Sequence, residues 1–278
     1  MKKSFLTCAG SLVLVLVVVI VGSIAGFNLI RDSFKTSVLQ ELGFSSQAEY
    51  DEFVAKLNES FDETAFYQHT YSDLDKTSVK NKLSGAVALA DCASLFLENG
   101  YLDIDALEKE NNARVTSTLA FTDKEYSYFA QLLLASIYHS NEEENVALDN
   151  FQIISLVVNE DGTHTLVMKL STATMKKSMK SYGSALPSSL FLKIDYSIST
   201  TTTTDTAKEQ YKIANASMQV NQLSETYNAK CNTFLNKVFG TQNSAIEFAK
   251  IFISLTNAFD TATTATTTFA HDAISVTP

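Results

Sequence analysis

Histidine and cysteine often bind metals or transfer protons in proteins, so their spacing is the first indicator of chemistry. The four histidines are His69, His139, His164 and His271, and none lies within five residues of another. The paired-ligand spacing of HExxH is therefore absent, and we expect no metal site. His164, on a predicted strand, and His271, near the end of the chain, are predicted to be surface residues.

The two cysteines outside the N-terminal apolar segment, Cys92 and Cys231, allow two interpretations. No CxxC motif occurs in the chain. In an oxidising compartment the two thiols could form a disulfide bond. They fit equally well as two small apolar residues buried separately in the core. The sequence leaves both interpretations open.

Motifs for nucleophilic catalysis and phosphate binding are missing. The chain contains neither GxSxG nor SxxK, and glycines outside the apolar segment are too widely spaced for GxGxxG or a Walker loop. The carboxylate pairs Asp73/Asp75 and Asp103/Asp105 lack the glycine and terminal glutamate of an EF-hand loop, so we interpret them as surface residues. We therefore predict no catalytic, cofactor-binding or metal-binding residues and a protein that is not an enzyme.

The charge of the chain excludes one class of partner. Its 278 residues include 31 acidic and 21 basic side chains, which gives a net charge of −10. Binding to a phosphate backbone needs a surplus of Lys and Arg, so we expect no nucleic acid partner.

An uncharged run of 26 residues, 5–30, lies close to the N-terminus. About 20 apolar residues suffice to cross a bilayer, so the run predicts a transmembrane helix. Its length favours a retained anchor over a cleaved signal peptide, although Ser23-Ile24-Ala25 has the small residues of a cleavage site. Lys2 and Lys3 favour a cytoplasmic N-terminus. We expect a single-pass protein of the cell membrane, held in the lipid bilayer by 5–30, with an extracytoplasmic C-terminal domain.

Two local patterns suggest further membrane contacts. Gly22 and Gly26 have the GxxxG spacing that lets two membrane helices approach closely, so self-association is one interpretation. Ordinary small residues of a membrane helix are the plainer one. Lys176, Lys177 and Lys180 form a basic cluster that could contact anionic lipid headgroups, but a solvated loop explains it more simply.

The segment 31–113 is predicted to be mostly helical. Ser46 and Glu49 form a capping box. Apolar residues follow it at the spacing of an amphipathic helix: Tyr50, Phe53, Val54, Leu57 and Phe61. A buried helix is predicted at 86–97, with a turn at Gly100 after it.

The segment 114–259 is predicted to be an α+β domain with an antiparallel sheet. Alternating apolar residues at 115–121 indicate a strand. Thr122 and Glu125 then form a second capping box, which opens a helix.

A meander follows that helix in the prediction. Strands at 151–158 and 163–171 flank a hairpin turn with Gly162. The clearest alternation in the chain, at 190–198, predicts a strand that pairs with 208–221.

Helices are predicted to close this domain. The first ends at Gly240, and the second, 244–259, is apolar on more than one face and is expected to be deeply packed. The Thr- and Ala-rich tail at 260–278 is interpreted as disordered or weakly docked. The whole chain is thus predicted to be an anchor at 1–30, followed by an α+β protein of helices, an antiparallel β-meander and C-terminal helices.

Several features follow one another in a distinctive order. They are the Lys-headed apolar segment, Thr122-Asp123-Lys124-Glu125 with its helix, a hairpin, Leu186-Pro187 before a long strand, and Asn221-Gln222-Leu223. Over roughly 1–30 and 114–240, this order resembles the YpmS-like membrane-anchored proteins of Gram-positive bacteria. The resemblance implies a bacterial envelope protein with an extracytoplasmic domain and brings no catalytic residues.

Two functions are favoured by these observations, and an enzyme with an unrecognised site is a third interpretation. The first is a non-catalytic single-pass envelope protein whose extracytoplasmic domain binds or scaffolds a protein or lipid partner. The alternative is an extracytoplasmic lipid or apolar-ligand binding protein, in which the sheet and the helix at 244–259 would enclose a hydrophobic groove. A helix that simply fills the core is the plainer interpretation of 244–259.

Overall fold

The computed structural model describes residues 39–67, 70–89, 94–98, 100–103, 106–107, 113–139, 151–173, 176, 183–202, 209–271 and 273–278. Within these ranges, no helix has the length and apolar character needed to cross a membrane. The predicted anchor at 5–30 lies outside them. So do these residues named above: Gly22, Gly26, His69, Cys92, Asp105, Lys177 and Lys180.

Helices and antiparallel sheets are mixed along the described chain, which confirms an α+β fold. The helices are α1 (Gln47–Leu57), α2 (Glu63–Phe66), α3 (Lys76–Ala86), α4 (Asp123–His139), α5 (Glu225–Phe239) and α6 (Ser244–Thr263). The strands are β1 (Val87–Ala88), β2 (Arg114–Val115), β3 (Leu119–Phe121), β4 (Phe151–Val158), β5 (His164–Ser171), β6 (Ser189–Thr202), β7 (Glu209–Val220), β8 (Thr266–Ala270) and β9 (Ala273–Thr277).

The largest sheet is a four-stranded antiparallel meander in the order β4-β5-β6-β7. β4 and β5 form the predicted hairpin, and Gly162 in its turn has a φ of +79°, which glycine adopts without steric cost. β6 pairs with β7 from Leu192 with Val220 to Thr202 with Glu209. Both pairings predicted from the alternation of apolar residues are therefore confirmed.

One face of this sheet carries the core. α4 packs against β4 and α6 against β7, so the two helices cover the apolar face. The same cluster of buried side chains extends from Leu39 to Val276. It includes Phe53 of α1 and Phe234 of α5, whose ring centroids are 5.7 Å apart. Residues from both predicted segments, 31–113 and 114–259, thus share one core.

The predicted capping boxes set the starts of α1 and α4. The Ser46 hydroxyl accepts the Glu49 N–H at 3.2 Å, although the Glu49 carboxylate accepts the N–H of Ser45 instead of that of Ser46. The box at α4 is reciprocal, because Thr122 Oγ1 accepts the Glu125 N–H at 3.3 Å and Glu125 Oε2 accepts the Thr122 N–H at 2.9 Å. These bonds satisfy donors that a helix start leaves unpaired.

The last two helices also agree with the prediction. α5 ends at Gly240, which has the left-handed φ of +62° that favours glycine. The Asn243 side chain caps the start of α6 by accepting the N–H groups of Ala245 and Ile246. α6 buries side chains on several faces, as its all-round apolar pattern predicts.

The tail at 260–278 is not disordered, so that prediction is wrong. α6 continues to Thr263, and β8 and β9 form a hairpin that pairs with β3 in the order β3-β9-β8. Asp260 joins helix and hairpin, since its carboxylate accepts the N–H and the hydroxyl of Thr267 at 2.8 and 2.7 Å. β-branched Thr, Ile and Val favour strands, so the composition interpreted as a tail suits a hairpin equally well.

The helix predicted at 86–97 is also wrong where its residues are described, because 87–89 and 94–97 are not helical. α3 precedes it and is capped by Asp75, whose carboxylate accepts the Thr77 N–H at 3.0 Å. Directly after α3, Val87 pairs with Val115 in the short sheet of β1 and β2. This pairing is a tertiary contact that helical periodicity does not reveal.

The strand predicted at 115–121 is divided between two sheets. β2 pairs with β1, whereas β3 pairs with β9. Thr116 extends the pairing of β2 with β1 by one position, because its N–H and its hydroxyl both donate to the Ala86 carbonyl, at 2.7 and 3.0 Å. The change of partner strand therefore falls between Thr116 and Leu119.

Side chains cap the outer border of β4. The Ile153 N–H donates to Gln131 Oε1 at 2.8 Å, and the Leu156 N–H donates to Ser127 Oγ at 2.7 Å. The imidazole Nδ1 of His271 lies 2.9 Å from the Val158 carbonyl oxygen. Backbone groups that an edge strand usually leaves open are therefore occupied.

The opposite border, β7, is capped by asparagines. Asn257 Oδ1 accepts the Tyr211 N–H at 3.1 Å, and Asn257 Nδ2 donates to the Tyr211 carbonyl at 2.9 Å. Asn228 does the same near the end of the strand, where its amide contacts Val220 N and Met218 O at 2.8 and 2.9 Å. Both borders of the meander are thus held by side chains of the packed helices.

Asn221, in the motif that follows β7, ties the sheet to α1. Its φ of +47° is left-handed, which asparagine tolerates better than most residues. The buried side chain accepts the Phe191 N–H at 2.8 Å and donates to the Leu57 carbonyl at 3.2 Å. The residue thus fixes the end of α1 against β6.

Candidate functional site

The structure places His164 in the core, so the surface position predicted for it is wrong. The residue is 1% exposed. Its ring stacks on Tyr196 at 5.0 Å between centroids and meets the edge of Phe269 at 4.9 Å. Phe269 belongs to the unpredicted C-terminal hairpin, which explains why the sequence alone did not indicate burial. His271 is exposed, as predicted.

The described carboxylates of the predicted pairs have structural contacts. Asp73 forms an ion pair with Lys124 at 2.9 Å, and Asp75 caps α3. Asp103 Oδ1 accepts the Ala106 N–H at 3.0 Å. Across the described ranges, no three His, Cys, Asp or Glu side chains are grouped to hold a metal ion.

Cys231 is a free thiol at the centre of the core. It is 0% exposed, and burial raises its pKa far above the usual value. A thiol that stays protonated is a poor nucleophile. The described structure therefore supports the interpretation of Cys231 as a small apolar residue buried in the core.

A cleft of about 540 Å³ lies at one end of the four-stranded sheet, on the face opposite the core. Its volume falls in the range of about 300–1,000 Å³ that is typical of small-molecule sites. The cleft lies where β4 and β6 begin and β5 ends. It is the candidate functional site of the described protein.

Cross-strand pairs form the floor of the cleft. Gln152 of β4 is paired with Lys169 of β5, and Ser171 of β5 is paired with Ser189 of β6. Residues paired in an antiparallel sheet point to the same face, so these four side chains lie together. They give this end of the sheet a polar surface.

Aromatic and amide side chains form the walls. Tyr71, Tyr101, Gln131 and Ser188 complete the described lining. The Tyr71 hydroxyl donates to the Ile153 carbonyl at 2.7 Å. Gln131 holds the N–H of the same residue, so both walls are fixed to the border of β4.

A shift in pairing register adjoins this border. β4 and β5 lose their regular register between Ile153 and Ser155, which indicates a β-bulge. Bulges are common beside binding sites because they redirect side chains. Burial raises the pKa of Tyr71 to about 12, so its phenol stays neutral at physiological pH.

An aromatic cover flanks the floor of the cleft. Phe61 and Tyr67, on either side of α2, lie over Phe191 with ring centroids 5.5 and 6.3 Å from it. Phe191 is also 5.5 Å from the Lys169 ammonium, a cation–π distance. The aromatic cover therefore holds the Lys169 ammonium beside the residues that line the cleft.

The described lining offers hydrogen bonds, aromatic surface and one ammonium group. It contains no carboxylate, histidine or cysteine. A polar ligand with many hydroxyl groups could satisfy these donors and acceptors. No pair of groups in this lining has the character of a nucleophile with its base.

Comparison with known proteins adds no relative. No protein-family model, no curated protein and no solved structure matches the chain. The resemblance to YpmS-like proteins stays a prediction.

Sequence reasoning missed the cleft. The polar positions Gln152, Lys169 and Ser171 lie within predicted strands and Ser189 directly precedes one, and this alternation is a signal for a polar face. Tyr71 and Tyr101 lie in long connections without a periodic pattern, so only the tertiary fold brings them to that face.

Proposed function

We propose that this chain is a non-catalytic envelope protein, anchored in the cell membrane by residues 5–30, whose extracytoplasmic domain binds a polar ligand. The observation that carries the proposal is the cleft, with its lining of hydroxyl, amide, phenol and ammonium groups. Hydrogen-bond donors and acceptors that converge in a concave site are typical of ligand recognition.

The alternative, a carrier of lipid or another apolar ligand, has less support. The helix that would border a hydrophobic groove is α6, and its Phe248, Phe252 and Phe259 are each 3% exposed or less. These side chains belong to the continuous core. The cleft that does open to solvent is mostly polar.

Binding to hydroxyl-rich ligands tests the proposal directly. We expect the full chain, purified in a detergent without a sugar headgroup, to bind at least one of cellobiose, maltose and chitobiose in calorimetric titrations. Gln152→Ala should weaken that binding about 3- to 10-fold, because one neutral hydrogen bond contributes about 0.5–1.5 kcal/mol.

Gln219 provides the matched control. It is an exposed glutamine on the same face of the sheet, and its partner in β6 is Lys193. Gln219→Ala should leave the affinity unchanged. Equal loss in both variants would contradict a polar binding site in the cleft, and so would the absence of binding to every sugar tested.

The membrane topology is a separate expectation. Alkaline phosphatase fused to the C-terminus of the full chain should be active in a bacterial host, because the predicted orientation exports everything after the anchor. A green fluorescent protein fused at the same point should stay dark if export is through the general secretory route. The reverse pattern would place the domain in the cytoplasm and refute the proposed location.

A further inference from the structure

Lys169 is the one lysine of the described cleft lining, and its contact is with an aromatic ring, as for Lys76 and Lys80, and not with a carboxylate. Five lysines form ion pairs with carboxylates at 2.6–2.9 Å: Lys56, Lys82, Lys124, Lys230 and Lys250. Lys169 is half-buried and has no carboxylate partner among the described residues; its recorded contact is the ring of Phe191. The cleft thus contains an ammonium group whose charge the described protein leaves unmatched.

The rest of the described lining does not oppose a negative ligand. Its other members are two tyrosines, two glutamines and three serines, all of them neutral. A ligand anion would meet Lys169 without repulsion from a carboxylate in that lining. Charge-assisted hydrogen bonds are roughly twice as strong as neutral ones, so this lysine would dominate the choice of ligand.

A single ammonium group matches a single negative charge. Phosphate sites usually combine arginine or several backbone N–H groups, and the described lining contains no arginine. A carboxylate is singly charged and needs fewer donors. The carboxylate is therefore the anion that this cleft fits best.

The neutral lining defines the remainder of the ligand. Gln131, Gln152 and the serines offer donors and acceptors to hydroxyl groups, while the half-buried Tyr101 offers aromatic surface to the C–H face of a sugar ring. We propose that the cleft binds an acidic saccharide, with its carboxylate paired to Lys169 and its hydroxyls bonded to the floor and walls. This inference rests on the proposed function and specifies its ligand.

The test compares sugars that differ only in one carboxylate. Methyl glycosides of glucuronic, galacturonic and mannuronic acid are titrated into the full chain beside the neutral methyl hexosides. At least one uronate should bind about fivefold or more tightly than its neutral parent, since the charged hydrogen bond is partly screened by solvent. The wild-type comparison needs no variant, so misfolding of a mutant does not affect it.

Variants then assign the preference to one side chain. Lys169→Met keeps the apolar stem against Phe191 and should abolish the preference for the uronate over its neutral parent. Lys193→Met is the matched control, because Lys193 is a half-buried lysine on the same sheet face outside the described lining. It should keep the preference, and Lys169→Arg should keep most of it.

The possible outcomes separate this inference from the proposed function. Neutral sugars that bind as tightly as all three uronates would overturn the acidic ligand and leave the polar site standing. A preference that survives Lys169→Met would overturn the role of this lysine. Tighter binding of glucose 6-phosphate than of any uronate would replace the carboxylate with a phosphate. No binding of any sugar would refute both proposals.

Discussion

Lowering the pH from 7 to 4.5 is expected to reduce the free energy of unfolding by about 2 kcal/mol through His164, and His164→Phe is expected to abolish that loss. The ring is enclosed by Tyr196 and Phe269. Its Nδ1 is buried and has no hydrogen-bond partner in the described structure. Protonation would place a charge where nothing described compensates for it.

The direction of the effect follows from the pKa in each state. Burial lowers the pKa of His164 from 6.5 to about 4. In the unfolded chain the ring takes up a proton near pH 6.5, whereas the folded chain resists until about pH 4. The stabilising contribution of the neutral ring is therefore complete above pH 6.5, and it is lost progressively as the pH falls toward 4.

Urea unfolding at pH 7, 5.5 and 4.5 measures this dependence. Phe234→Leu is the control, because it weakens the core where Phe234 packs against Phe53 and leaves the rings around His164 in place. That variant should be less stable at every pH and should retain the slope of the wild type. The window ends at pH 4.5 because carboxylates such as Glu49, whose pKa the Lys230 ammonium and Ser45 lower to about 2, contribute below it. An unchanged slope in His164→Phe would refute the assignment.

Ending the chain at Thr264 is expected to prevent stable folding. The deleted part contains the β8–β9 hairpin, whose Ile274 and Val276 are 1% and 0% exposed. β3 would lose the strand with which it pairs, and the described core would open at Leu119 and Phe121. A folded protein usually has a free energy of unfolding of about 5–15 kcal/mol. The loss of several fully buried side chains costs a free energy of the same size.

Point variants give the same information without a deletion. Ile274→Ala should lower the free energy of unfolding by about 2–5 kcal/mol, the usual cost for a large buried aliphatic side chain. Ser275 lies between the two buried residues and is only half-buried. Ser275→Ala should change the stability by less than about 1 kcal/mol. A chain ending at Thr264 that unfolds at the same urea concentration as the full chain would show that the hairpin is peripheral.

Local patterns predicted the parts of this fold that depend on neighbours in sequence. Alternation placed β4 to β7, and the Thr122–Glu125 pair placed the start of α4, because both signals arise within a few residues. Gly240 marked the end of α5 for the same reason.

Long-range contacts decided what the sequence did not reveal. Val87 belongs to a strand because it pairs with Val115. The hairpin at the end of the chain is ordered because β9 pairs with β3. His164 is buried by that hairpin, so one wrong prediction led to the other. The cleft could not be predicted for the same reason, because long connections bring Tyr71 and Tyr101 to a face formed by distant strands.

The capped borders of the meander have a consequence for molecular crowding. A protein anchored as proposed would be confined to two dimensions, where the edge strands of adjacent copies would meet frequently. Gln131, Ser127 and Asn257 already occupy backbone groups through which a second strand would pair. Edge-to-edge polymerisation is thereby blocked at these positions. Dense arrays of the protein would stay as separate copies, each with its own cleft open to solvent.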